Sequence, residues 1–193
     1  MQKWKRVDTG DGPRFRSALA VHEAALLRNL VDSIIGMLDS RELSAPPDEL
    51  EQITGIRTGN TRPPADATTG RLLPDHYRAP EDRSGPDPES LNAALRSLHE
   101  PAIIDAKREA AQQLLATLPD QGGRVELTQD QADAWVAAVN DIRLALGTLL
   151  DVGPEGPGRA TVDERTAGQI NVYQWLTVLQ EFLVVALMGG SRR

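Results

Sequence analysis

Three histidines are the first residues to weigh for chemistry. His22, His76 and His99 fall on different predicted elements, with no metal-ligand spacing between any two. His22-Glu23 and His99-Glu100 lack the second histidine that an HExxH helix places one turn on, on the same face. The chain has no cysteine, which removes thiolate catalysis, disulfides, cysteine-ligated zinc and direct thiol sensing. No serine stands in a G-x-S-x-G turn, and no Walker or Rossmann glycine pattern occurs. The run Gly153-Pro154-Glu155-Gly156-Pro157-Gly158 is rich in glycine, but its prolines delete the N–H donors a phosphate cradle needs. No catalytic residue, metal site or cofactor site is therefore expected, and the protein is expected not to be an enzyme.

The charge asymmetry at the N-terminus is more informative. Lys3, Lys5, Arg6, Arg14 and Arg16 face only Asp8 and Asp11 within the first 16 residues, so this segment carries +3 while the whole chain carries −7. Trp4 and Phe15 are interleaved with the cations. Basic β-ribbons enter DNA grooves, and aromatic–basic surfaces stack on nucleic acid. Alternatively, the two aromatics pack inward and the cations are solvated or pair with the acidic body, for example with Glu126. A net-acidic chain does not bind nucleic acid through bulk charge, so any contact needs this local patch.

These residues must be held by a fold that the composition narrows. With 193 residues, 40% of them hydrophobic and only 4% aromatic, a core of Leu, Ile, Val and Ala is expected, which favours helix on helix. One domain spanning 1–193 is expected: a mainly α helical bundle around a buried C-terminal helix, with a small antiparallel β-sheet. The sheet is an N-terminal hairpin over 1–19 plus a strand near 124–127, whose alternation follows the turn Gly122-Gly123.

The helices read as follows. A first runs from Ala20 to Leu38, and a short one from Pro47 to Ile53. Another starts at the Asp87 cap, buries Leu91, Leu95 and Leu98, and is broken or kinked at Pro101. A further helix runs to Leu118. The capping box Thr128–Gln131 opens the cleanest amphipathic stripe, through Trp135, Val139 and Ile142. The last helix, Asn171 to Met188, is apolar around most of its circumference, so it is expected at the centre or partly at a homodimer interface. Glu181 and the nearby amides argue against a bilayer span. The N-terminus lacks the apolar core of a signal peptide, so a cytoplasmic location is expected.

Between these helices, residues 56–87 form a Pro/Gly-rich stretch, expected as a flexible loop or arm. Leu72, Leu73 and Tyr77 within it would anchor it either on the chain's own core or on a partner.

Several stretches carry a family resemblance: Trp4-Lys5-Arg6-Val7, Gly12-Pro13-Arg14-Phe15-Arg16, Glu23-Ala24-Ala25-Leu26-Leu27, Ile53-Thr54-Gly55-Ile56, Arg71-Leu72-Leu73-Pro74-Asp75, Leu91-Asn92-Ala93-Ala94-Leu95-Arg96 and Asn171-Val172-Tyr173-Gln174-Trp175-Leu176. Together the chain resembles an actinobacterial family of unknown function whose members include transcriptional regulators, with one branch of oxidative-stress regulators. The resemblance implies control of transcription under oxidative stress through a protein partner such as a sigma factor or other transcription machinery, with DNA as a further contact. It also implies, through gene neighbourhood, an alternative role as a helical adaptor or scaffold linked to regulated proteolysis. A cysteine-pair switch proposed within the family has no counterpart here, which leaves Met1, Met37, Met188 or a partner to sense oxidant.

Overall fold

The computed structural model describes residues 1–45, 53, 55, 57–78, 87–153, 156–157 and 164–189. The architecture is mainly α with a small antiparallel sheet, as the sequence leads one to expect. Strands β1 (Lys5–Thr9) and β2 (Gly12–Leu19) form the hairpin, and β3 (Gly123–Leu127) joins β2 to give the order β1-β2-β3. The register pairs Lys5 with Arg16 across β1–β2, and Arg16 with Glu126 across β2–β3. Gly122 admits no side chain: at φ +68 its Cβ would sit 2.7–2.9 Å from the backbone of Leu19 to Val21. This close approach lets β3 lie beside the end of β2.

The helices are α1 (Val21–Leu43), the one-and-a-half-turn α2 (Ala67–Leu72), α3 (Pro88–Thr117), α4 (Gln129–Leu149) and α5 (Glu164–Met188). A two-residue ladder, β4 (Val152–Gly153) with β5 (Gly156–Pro157), lies in what reads in sequence as a connector. The short helix expected over Pro47–Ile53 lies outside the described residues, apart from Ile53.

The central element is α4, not the C-terminal helix. Helix α4 touches α1, α2, α3, α5 and strands β2, β3 and β4. Trp135 is fully buried, donates from its indole nitrogen to Thr117 Oγ1 at 2.7 Å, and meets the Trp4 ring edge-on at 5.6 Å. Ala132, Ala138 and Ala145 on the same helix are buried, and their small size lets neighbours approach closely. In α5, by contrast, Leu176, Leu179 and Leu183 are the buried residues, while Val178, Val185 and Met188 are exposed. The expectation of a buried C-terminal helix is thus corrected. Apolarity measures how much surface a helix could bury, whereas its position in the chain and its neighbours decide how much it does. Helix α5 is long and apolar enough to cross a membrane by length and composition, a test that soluble core helices also pass; 22% of its apolar window is buried.

Helix α3 departs from expectation twice. It is continuous through Pro101. A proline at this position removes the N–H that would reach the Ser97 carbonyl. That carbonyl is satisfied instead by the Gly59 N–H at 2.7 Å. The approach is so close that a Cβ on Gly59 would lie 2.9 Å from Pro101 Cδ. Its N-terminal half also buries a polar stripe, Asn92, Arg96 and Glu100, rather than the leucines: Leu91 and Leu95 are half-buried and Leu98 is 62% exposed.

That stripe holds the loop. Arg96 Nη1 donates to Thr61 O at 2.7 Å and its other terminal nitrogen to Asp75. Asn92 accepts from the Tyr77 N–H and donates to the Tyr77 carbonyl, both at 2.8 Å. Arg41 of α1 grips Glu100 at 2.8 and 3.0 Å and reaches the Arg62 carbonyl at 2.6 Å. In its described part, residues 57–78, the stretch expected as a flexible arm is therefore a docked segment. Leu72 and Leu73 are core residues at 2% and 4% exposure, which corrects the partner-anchor reading, and Tyr77 is half-buried.

At the other end of the molecule Glu23 is buried between sheet and helices. It accepts from the Met1 α-ammonium at 2.6 Å, the Ala20 N–H at 2.8 Å and Trp175 Nε1 at 3.1 Å. Burial alone would raise its pKa, but these donors together hold it below the ordinary glutamate value of 4.5. A carboxylate depressed in the folded state adds stability above pH 4.5 that disappears as pH falls through the folded value.

Four substitutions test this packing. Trp135→Ala should cost about 3–5 kcal/mol in urea unfolding, while Leu98→Ala stays within about 0.5 kcal/mol. Gly59→Ala should cost roughly 1–3 kcal/mol by overpacking against Pro101, with protease cleavage of 57–78 as a second readout. Glu23→Gln should flatten the acid limb of stability against pH below pH 4.5, measured as urea midpoints.

Candidate basic face of the N-terminal sheet

Alternation on the three strands separates two faces. Phe15, Leu19, Val125 and Leu127 turn into the core, and Trp4 joins them at 4% exposure. The aromatics interleaved with the cations are thus core residues and offer no stacking platform beside the charges. The opposite face carries Lys5 on β1, Arg14 and Arg16 on β2, and Arg124 and Glu126 on β3, as the cross-strand register requires.

Most of these groups line a shallow cleft of about 440 Å³, together with Lys3 and the Gln2–Ser17 edge. Lys3, Lys5, Arg16 and Arg124 stand against Glu126 alone, a local charge of +3 on a chain of −7. Arg16 Nε lies 2.5 Å from Glu126 Oε2, with both side chains about half exposed, so this pair is screened by water and open to exchange. Lys3 Nζ sits 5.4 Å from the centre of the Phe182 ring, which ties the cleft rim to α5.

The sequence-expected cations divide on this basis. Lys3, Lys5 and Arg16 come together in the cleft. Arg14 shares the face one register pair nearer the turn, is half-buried and reaches the Pro13 carbonyl at 3.4 Å. Arg6 falls on the other parity, and its Nε is taken by Asp8 at 3.0 Å. Arg124 was not among the candidates singled out in sequence. The signal for it was present in the alternation of 124–127, which sets Arg124 opposite Ala18 and on the same face as Lys5. Chemically, the cleft can bind and orient an anionic surface through several weakly engaged cations. It holds no nucleophile–base pair.

The fold also joins residues that look unrelated in sequence. His76 and His99 meet with ring centres 5.7 Å apart and planes tilted by 54°, at one end of a groove between α3 and α4. At the other end Lys107 Nζ contacts Asp141 Oδ1 at 2.6 Å. Burial raises the Asp141 pKa, and the lysine opposes that rise. Among the described residues no cluster of three or more His, Cys, Asp or Glu could hold a metal ion.

Comparison with known proteins places this geometry in a family. Residues 1–187 match the family model described as a domain of unknown function, DUF2017. The chain is 63% identical to the oxidative stress regulator AosR of Mycobacterium tuberculosis (strain ATCC 25618 / H37Rv), over 98% of this chain and 89% of the relative. It is equally similar to the oxidative stress regulator AosR of Mycobacterium bovis, with the same coverage. A Mycobacterium leprae protein named as a putative oxidative stress regulator is 57% identical over the same shares. No solved structure matches. A match along nearly the whole length, both to the family model and to these relatives, means that the chain belongs to the DUF2017 family.

Proposed function

We propose that this protein regulates transcription in the oxidative-stress response, without catalysis of its own, by contacting a protein of the transcription machinery such as a sigma factor. The oxidative-stress part rests on the names of relatives 63% and 57% identical to it. The contact mode rests on one observation: a +3 cleft on the outer face of the sheet of a strongly acidic protein. Such a patch focuses positive potential locally while the −7 body repels bulk nucleic acid. An acidic segment of the partner protein fits that pattern. Promoter DNA, touching the same cations through its phosphates, is the second contact.

The alternative, an adaptor linked to regulated proteolysis, drew on gene neighbourhood, on the absence of catalytic groups and on an arm anchored by Leu72, Leu73 and Tyr77. With both leucines buried, it is left without that surface. Oxidant sensing in a chain without cysteine falls to a partner or to methionine, and Met188 is the most exposed of the three, at 66%.

The test is capture of RNA polymerase and sigma subunits from cells with and without oxidant, alongside a promoter gel shift at low salt. Lys5→Glu with Arg124→Glu should reduce capture at least about tenfold, as expected when charge complementarity at an interface is reversed. Glu126→Gln should strengthen it. Capture that ignores all three changes removes the cleft from the mechanism. A chain that captures no transcription subunit and shifts no promoter removes the function.

A further inference from the structure

Helix α5 is the most apolar of the described helices, yet only 22% of its apolar window is buried, and Val178, Val185 and Met188 are exposed. From Asn171 onward its exposed positions are Asn171, Gln174, Val178, Glu181, Val185 and Met188. They alternate three and four residues apart, so they form a single straight edge, the spacing of a helix–helix seam. The edge is polar at its start and apolar at its end, and Glu181 stands within it.

Charge identifies what covers this edge. Arg143 of α4 flanks it. The guanidinium donates to Thr177 Oγ1 at 3.1 Å and to Gln180, and lies 5.5 Å from the Tyr173 ring centre. All these partners are neutral. Glu181, one turn beyond Thr177 on the same flank, has no ion-pair partner among the described residues. A cation and an anion, each without an opposite charge among the described residues, thus stand one turn apart along this exposed edge.

We propose that this edge pairs with the same edge of a second copy of the chain, antiparallel about a two-fold axis at the level of Leu179. In an antiparallel pair, a residue a given distance to one side of the axis faces one the same distance to the other side. An axis midway between Thr177 and Glu181 sets Glu181 of each copy beside Arg143 of the other, on the same flank, twice by symmetry. Val178 of the two copies meet near the axis. The Val185–Met188 end of each helix reaches the Asn171–Gln174 start of the other. A parallel pairing would instead place Glu181 against Glu181. A membrane would strip water from Glu181 with no counter-charge beneath it, which disfavours a bilayer as the occupant.

The experiment is sedimentation equilibrium on the full chain. Wild type should run at twice the 21.0 kDa of one chain. E181R, R143E and V185E should each raise the dissociation constant at least about tenfold. An equimolar mixture of E181R and R143E should recover the dimer, because one reciprocal pair is then the wild-type Glu181–Arg143 pair and the other returns with its polarity exchanged. Circular dichroism reports whether R143E keeps its fold; E181R and V185E, at exposed positions, decide the question if it does not. A one-chain mass for wild type at every concentration overturns the proposal. So does a dimer that E181R and V185E leave unchanged, and so does a monomer that sediments with phosphatidylcholine–phosphatidylglycerol vesicles.

Discussion

Burial of helix α4 is the constraint that orders the rest of the molecule. Trp135 fills the middle of it, edge-on to Trp4 from the hairpin and hydrogen-bonded to Thr117 at the end of α3. One side chain therefore joins the sheet, the long helix and the central helix. Four helices and three strands pack around α4, and each turns a face to it. The sheet's free face becomes the basic cleft, and the free edge of α5 is polar at its start and apolar at its end.

The second organising device is polar rather than hydrophobic. Burying Asn92, Arg96 and Glu100 would be costly if they were unpaired. Each is matched to backbone or charge from the 57–78 segment or from α1. The proline inside α3 belongs to the same arrangement, since the carbonyl it frees is the one that receives Gly59. A missing intrahelical hydrogen bond and a loop docking site are one feature. The loop is held by directional bonds to its backbone, so its own side-chain composition says little about its order.

The surface inherits its electrostatics from strand register. Alternation sends Trp4 and Phe15 inward and Lys5 and Arg16 outward, so a stretch of alternating aromatic and basic residues yields a core and a charged face at once. The +3 cleft stands out because the rest of the chain is acidic. Its cations are weakly engaged, which leaves them available to an anionic partner.

Local patterns sufficed where the information is local. Period-two alternation marked β3, the turn-rich 8–13 stretch marked the hairpin, the Thr128–Gln131 capping box marked the start of α4, and the Asp87-Pro88 pair marked the start of α3. The basic hairpin was legible too, except for Arg124, which sits more than a hundred residues away from Arg16 and shares its face only after β3 pairs with β2. Tertiary structure decided the rest: which helix is central, whether Leu72 and Leu73 face the core, and that Pro101 does not end its helix. It also brought His76 to His99 and left Arg143 and Glu181 each without an opposite charge among the described residues. The physical reason is common to all of these. Periodicity and composition report what a segment could bury or bond, while the partner that does so comes from a distant part of the chain, and only the folded arrangement selects it.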